Sequence, residues 1–113
     1  MTTNRPPLAG NLFADVPSAL AEEQFRDLAA GRGARVTRIV STGQTTDWQD
    51  SVEDEFVLLV TGSAVLRFAA DDRRLALVPG DWCHIPAGAR HRVEETDAGQ
   101  PTVWLAVHFP PFA

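Results

Sequence analysis

The chain has no lysine and no tyrosine, and it has a single cysteine. Without lysine there is no Schiff-base chemistry and no pyridoxal anchor, and without tyrosine there is no phenolic general acid. A lone thiol, Cys83, has no internal disulfide partner, which fits a reducing compartment and leaves stability to packing. Long apolar runs are missing too. The best is Phe56-Val57-Leu58-Leu59-Val60, far too short to cross a bilayer, so no membrane partner and a cytoplasmic location are expected. Clustered positive charge is also lacking: the net charge is -5 and the arginines are scattered, which argues against nucleic acid. What remains for chemistry is three histidines, the one cysteine, carboxylates and hydroxyls.

At 113 residues the chain matches one ordinary domain with one core. Residues 1-33 read as an N-terminal arm with a short helix. Pro6, Pro7, Gly10 and Pro17 make the start irregular, with a short strand expected at Asn11-Leu12-Phe13-Ala14 that covers a sheet edge. Leu20, Ala21, Phe25 and Leu28 approximate one helical face, so a helix is expected over Ala21 to Ala29, capped near Ser18 and stopped by Gly31 and Gly33. From residue 34 to 113 the pattern changes to short strands between turn residues, at 35-41, 54-60, 64-69, 74-78, 81-85, 90-95 and 102-109. In 54-60, Glu55, Val57 and Leu59 share one face and Phe56, Leu58 and Val60 the other. Both faces therefore need cover, one from the core and the other from the helix or a second subunit; a homodimer is expected.

Spacing then singles out a few residues. Gly80, Pro86 and His91 stand at fixed offsets in Gly80-Asp81-Trp82-Cys83-His84-Ile85-Pro86-Ala87-Gly88-Ala89-Arg90-His91, and Glu55 is followed by Gly62 after a strand-length interval. This arrangement resembles the cupin superfamily, whose second motif runs G-x5-P-x4-H-x3-N and whose first runs G-x5-H-x-H-x(3,4)-E-x6-G. Glu95 stands where the second motif usually has asparagine, and Trp48 and Asp50 occupy the two histidine positions of the first. The resemblance covers residues 35-109. It implies an all-β fold, a double-stranded β-helix or jelly-roll-like barrel, whose mouth holds a divalent metal. Carried over by position it nominates Glu55 and His91 as ligands, with Asp50 in place of one missing histidine. That set suits manganese, iron or magnesium, with zinc also open. Trp48, Trp104 and His108 would line the pocket, and His108 is the candidate further ligand or acid/base group.

Plainer readings stand beside these. Period 2 sends Arg90 and Arg92 away from His91, so His91 faces the barrel, as a ligand or as a hydrogen-bonded core residue. Glu55 on an apolar face demands a partner, and Arg67 or Arg38 would serve as well as a metal. Asp50 belongs to an acidic run that a solvated loop explains. Cys83 reads as a buried inert thiol. Gly31-Arg32-Gly33 lacks the third glycine of a dinucleotide loop, and Ser63 has no nucleophile-elbow context. Two functions follow: a metal-binding cupin acting on a small organic molecule by oxygenation, isomerisation or hydrolysis, or a metal-free module that binds a small ligand in the same cavity. A third is a scaffold whose cavity is filled by side chains such as Trp48.

Overall fold

A computed structural model describes residues 2-111. Eight strands run in chain order: β1 (Gln24–Gly31), β2 (Ala34–Ser41), β3 (Asp54–Thr61), β4 (Ala64–Phe68), β5 (Arg73–Leu77), β6 (Trp82–Ile85), β7 (His91–Thr96) and β8 (Thr102–Phe109). They form two antiparallel sheets, one of five strands in the order β1-β2-β8-β3-β6 and one of three in the order β5-β4-β7. The expected strands from β2 onward are all present, their ends displaced by at most a residue or two. Among the described residues no helix is long and apolar enough to cross a membrane.

The core lies between the sheets. Ile39, Val57, Leu59, Leu66, Leu77, Ile85, Trp104 and Ala106 form its buried cluster. These are alternate residues of their strands, so Val57 and Leu59 face inward with Glu55, and Trp104 and Ala106 face inward with His108. On the outer face of β3 and β6, Phe56 stacks on Trp82, with ring centroids 5.7 Å apart, and Trp82 is largely exposed.

The expected helix over Ala21 to Ala29 is not formed; its second half is β1, an edge strand paired along β2. Two features misled the pattern. The pairing shifts register between Asp27 and Ala29, so one extra residue, Leu28, breaks the period of two. Phe25 and Leu28 thereby acquire a helix-like spacing of three. The second is Arg32-Gly33, which ends no helix but forms the two-residue turn of the β1-β2 hairpin, with φ of 53° and 80°. Left-handed conformations at both positions match the right-handed twist of the strands they join. Asn11-Leu12-Phe13-Ala14 is likewise a turn, not a strand. It nonetheless covers the sheet: the buried Arg38 of β2 donates from Nη1 to the carbonyls of Leu12 at 3.2 Å and Ala14 at 2.6 Å, and from Nη2 to Gln24 Oε1 at 3.0 Å. A buried guanidinium needs such acceptors, and the irregular arm supplies free carbonyls that a regular strand would have spent on its ladder.

Candidate functional site

Glu55, near the start of β3, is the cross-strand neighbour of His108 on β8. The pleat turns both side chains to the core face, and Glu55 Oε2 accepts from His108 Nε2 at 2.8 Å. His91 begins β7 in the opposite sheet and is 5% exposed. Its backbone is tied to Gln49 by two hydrogen bonds, Gln49 N–H to His91 O at 2.7 Å and His91 N–H to Gln49 O at 3.0 Å. Its Nε2 stands 3.4 Å from Glu55 Oε1. One carboxylate thus links both sheets, with an imidazole on each oxygen.

The proton inventory of this cluster follows from its partners. His91 Nδ1 lies 2.9 Å from the Ala89 carbonyl, which only accepts, so Nδ1 carries a hydrogen. In neutral His91 the Nε2 lone pair would then face a carboxylate oxygen; a second proton turns that contact into a charge-assisted hydrogen bond. Burial pushes the His91 pKa down, but the Glu55 carboxylate and the Ala89 carbonyl outweigh it and hold it above the ordinary value. For Glu55, burial pushes upward, and the His91 bond together with the charges of both histidines outweighs it, holding the carboxyl below its ordinary value. His108 Nδ1 is buried with no hydrogen-bond partner among the described residues.

Glu55 and His91 open into a narrow cavity of about 70 Å³ between the sheets. Phe25, Ile39, Val57, Leu66, Ile85 and Trp104 give it apolar walls, and its polar groups are Glu23, Thr46, Gln49, Glu55 and His91. Trp104 is one of the residues lining this cavity. His108 reaches the site through Glu55 and does not itself line the cavity. Trp48 and Asp50 lie elsewhere. Trp48 is surrounded by the guanidinium groups of Arg67, Arg90 and Arg92, each about 6 Å from its ring centroid. The exposed Asp50 carboxylate pairs with Arg90 at 3.3 Å.

Among the described residues, no three His, Cys, Asp or Glu side chains are arranged to hold a metal ion. The two Glu55 oxygens lie against His91 Nε2 and His108 Nε2, and the exposed Asp50 carboxylate pairs with Arg90. The alternative partners foreseen for Glu55 are also engaged elsewhere, Arg67 with Asp72 and Glu94, and Arg38 with the N-terminal arm.

The remaining histidine, His84, pairs at 2.8 Å with Asp54, whose carboxyl is held below its ordinary value first by the Ala87 N–H and then by His84. Cys83 is half-buried, and burial pushes its thiol up, away from nucleophilic use. The sequence reading missed Glu23, Phe25, Thr46 and Gln49. The first two come from β1 and its approach, where the sequence pattern predicts a helix; Gln49 is placed by its backbone pairing with His91, which no local pattern encodes.

Comparison with known proteins agrees with this architecture. A crystal structure from Ralstonia eutropha JMP134, provisionally named a mannose-6-phosphate isomerase, is 48% identical, covers 92% of this chain and 99% of its own, and superposes with a TM-score of 0.89. A cupin superfamily protein from Desulfitobacterium hafniense DCB-2, 21% identical, covers 96% of each chain at a TM-score of 0.74. A conserved Streptococcus pyogenes protein of unknown function is also 21% identical, covering 96% of this chain and 92% of its own, again at 0.74. No curated protein is matched. The Cupin domain model matches residues 37–108, the span that holds Glu55, His91 and His108. With well over half its length matched, this chain belongs to the cupin family.

Proposed function

We propose that the chain is a ligand-binding cupin that takes a small uncharged or cationic organic molecule without a resident metal. The observation that carries this is the lack of an uncommitted cationic side chain on the cavity wall. Two carboxylates, Glu23 and Glu55, line it; no arginine does, and His91 is already committed to Glu55. Such a wall gives an anion no uncommitted positive partner and leaves carboxyl oxygens to hydrogen-bond an uncharged or cationic molecule. Apolar neighbours strengthen each polar contact by excluding water.

The name of the Ralstonia protein raises aldose-ketose isomerisation of a phosphosugar. A carboxylate with a neighbouring imidazole suits the proton transfers of that reaction. The substrate does not suit the cavity. A phosphate calls for cationic side chains or a cluster of free backbone N–H groups, and the only basic group on the wall is His91. The volume of about 70 Å³ is also far below the several hundred Å³ typical of sites for larger ligands.

The test is calorimetric titration of untagged protein with methylguanidine, ethanolamine and glycerol, beside inorganic phosphate and mannose 6-phosphate. Binding by the cations or the polyol, weakened about tenfold in Glu55→Gln (the loss of one charge-assisted hydrogen bond), is the expected result. Preference for the anions, or turnover of mannose 6-phosphate, would overturn it. Elemental analysis of the same preparation adds an independent check: close to one metal ion per chain, lost in a Glu55→Ala/His91→Ala variant, would refute the metal-free reading.

A further inference from the structure

The cavity has a second polar pole, built from residues that play no part in the Glu55 cluster. Trp104 is 3% exposed, and its indole N–H, which has no capacity to accept, donates to Ser41 Oγ at 3.1 Å. Ser41 is fully buried. With its oxygen receiving that bond, its single hydroxyl hydrogen is directed to the other neighbour, Glu23 Oε2. The chain of donors therefore has one direction, from indole to hydroxyl to carboxyl, and it commits Glu23 Oε2 as an acceptor. Any proton on Glu23 then belongs on Oε1, the oxygen with no protein hydrogen bond among the described residues. Glu23 lines the cavity beside Phe25, Ile39 and Trp104.

We infer that Ser41 and Trp104 orient the Glu23 carboxyl so that Oε1 is the oxygen left for a bound molecule, and that a proton carried there donates a hydrogen bond to an acceptor atom of that molecule. The inference deepens the ligand-binding reading and rests on it for the bound molecule alone. Burial pushes the Glu23 pKa above its ordinary value, and the Ser41 bond offsets only part of that. The other ionisable groups on the cavity wall are Glu55 from β3 and His91 from β7. The pocket thus offers two unlike carboxyls. Glu55 is held ionised by its imidazoles and accepts; Glu23 keeps its proton further up the pH scale and donates. A ligand carrying a donor and an acceptor on adjacent atoms, such as an amide or a hydroxyketone, satisfies both.

The decisive experiment begins without ligand. Carbon-13 NMR follows the Glu23 carboxyl through a pH titration of the full chain while the Trp104 indole N–H signal is recorded in the same samples. Glu23 is expected to titrate above an ordinary glutamate, with the indole signal moving at the same midpoint. Ser41→Ala should silence the indole response while the Glu23 midpoint moves further up, and Glu23→Gln should silence it with spectral dispersion intact. A Glu23 midpoint at or below that of an ordinary glutamate, or an indole signal indifferent to it, would refute the inference. Dimethyl sulfoxide, an acceptor-only probe, then tests the donor role through shifts of the Ile39 and Trp104 signals. Wild type should lose at least threefold in affinity above the Glu23 midpoint; Glu23→Gln, which donates without ionising, should bind alike on both sides, and Glu23→Leu weakly on both. An affinity in wild type that does not change across the midpoint would refute the donor role. The ligand-free titration reads the state of Glu23 whether or not any probe of the binding reading is taken up, so the two failures are told apart.

Discussion

Replacing Glu55 by glutamine keeps the shape of the side chain and an acceptor for His108 Nε2, but removes the charge that faces His91 at 3.4 Å. Both partners of that contact are mostly buried, with side-chain exposures of 7% and 17%. A hydrogen bond to a charged group contributes about 1.5–3 kcal/mol, so a loss of about 2–3 kcal/mol is expected while His91 is protonated. For a domain of this size that corresponds to a fall in Tm of about 8–12 °C. The pH dependence has a definite sign. The His91 pKa is raised on folding, so its contribution is complete below the ordinary value of 6.5 and is lost as pH climbs through the folded value. The Glu55 pKa is lowered on folding, so its contribution is complete above the ordinary value of 4.5 and is lost as pH falls through the depressed one. The pair is therefore fully formed between those limits. Urea unfolding of wild type and Glu55→Gln at about pH 5.5 should show the full difference, shrinking to about 1 kcal/mol at about pH 9, where one neutral hydrogen bond is at stake. An equal destabilisation at both pH values would refute the argument, because it would mean that no proton on His91 is linked to Glu55.

Three further outcomes are expected. Gly62→Ala should destabilise by about 3 kcal/mol or more in denaturant unfolding, since Gly62 has φ of 85° and an added Cβ would lie 2.7 Å from the Thr102 Cα, whereas Gly80→Ala, at φ of 96° with nothing within 4 Å, should lose only the backbone preference of about 1–2 kcal/mol. Leu59→Ala, at a fully buried position of the core cluster, should lose about 2–5 kcal/mol in the same assay. Trp48→Leu should lower stability by about 1–2 kcal/mol through its three guanidinium contacts and leave the binding of cavity ligands within twofold, as isothermal titration would record; a large loss of binding would place Trp48 in the site after all.

Much of the barrel was legible because its strands are short, alternate cleanly and end at strong turn residues. Gly62 and Gly80, both at positive φ, stand at two of those turns. His91 was legible for a second reason: flanking arginines that need water force the residue between them inward. Glu55 announced itself as a carboxylate on an apolar face, but its partners were not to be read from the chain. Cross-strand neighbours such as Glu55 and His108 are set by register between segments far apart in sequence, and the bond between Glu55 and His91 depends on how two sheets face each other. Asp50 stands at a motif position by spacing, while its carboxylate is exposed and pairs with Arg90, a contact that spacing along the chain does not encode. β1 was lost to a single inserted residue, and with it went Glu23 and Phe25.

The position of β1 divides the cavity wall into two contributions. The match to the Cupin domain begins at residue 37, so Glu55 and His91 belong to the shared barrel while Glu23 and Phe25 lie outside it. Most of the cavity wall thus belongs to the shared span, and Glu23 and Phe25 are added by the segment that leads into and forms β1 along one side of β2. A change at Glu23 or Phe25 would therefore alter the cavity from its edge, in the way that a lock changes its key by replacing one plate rather than the cylinder.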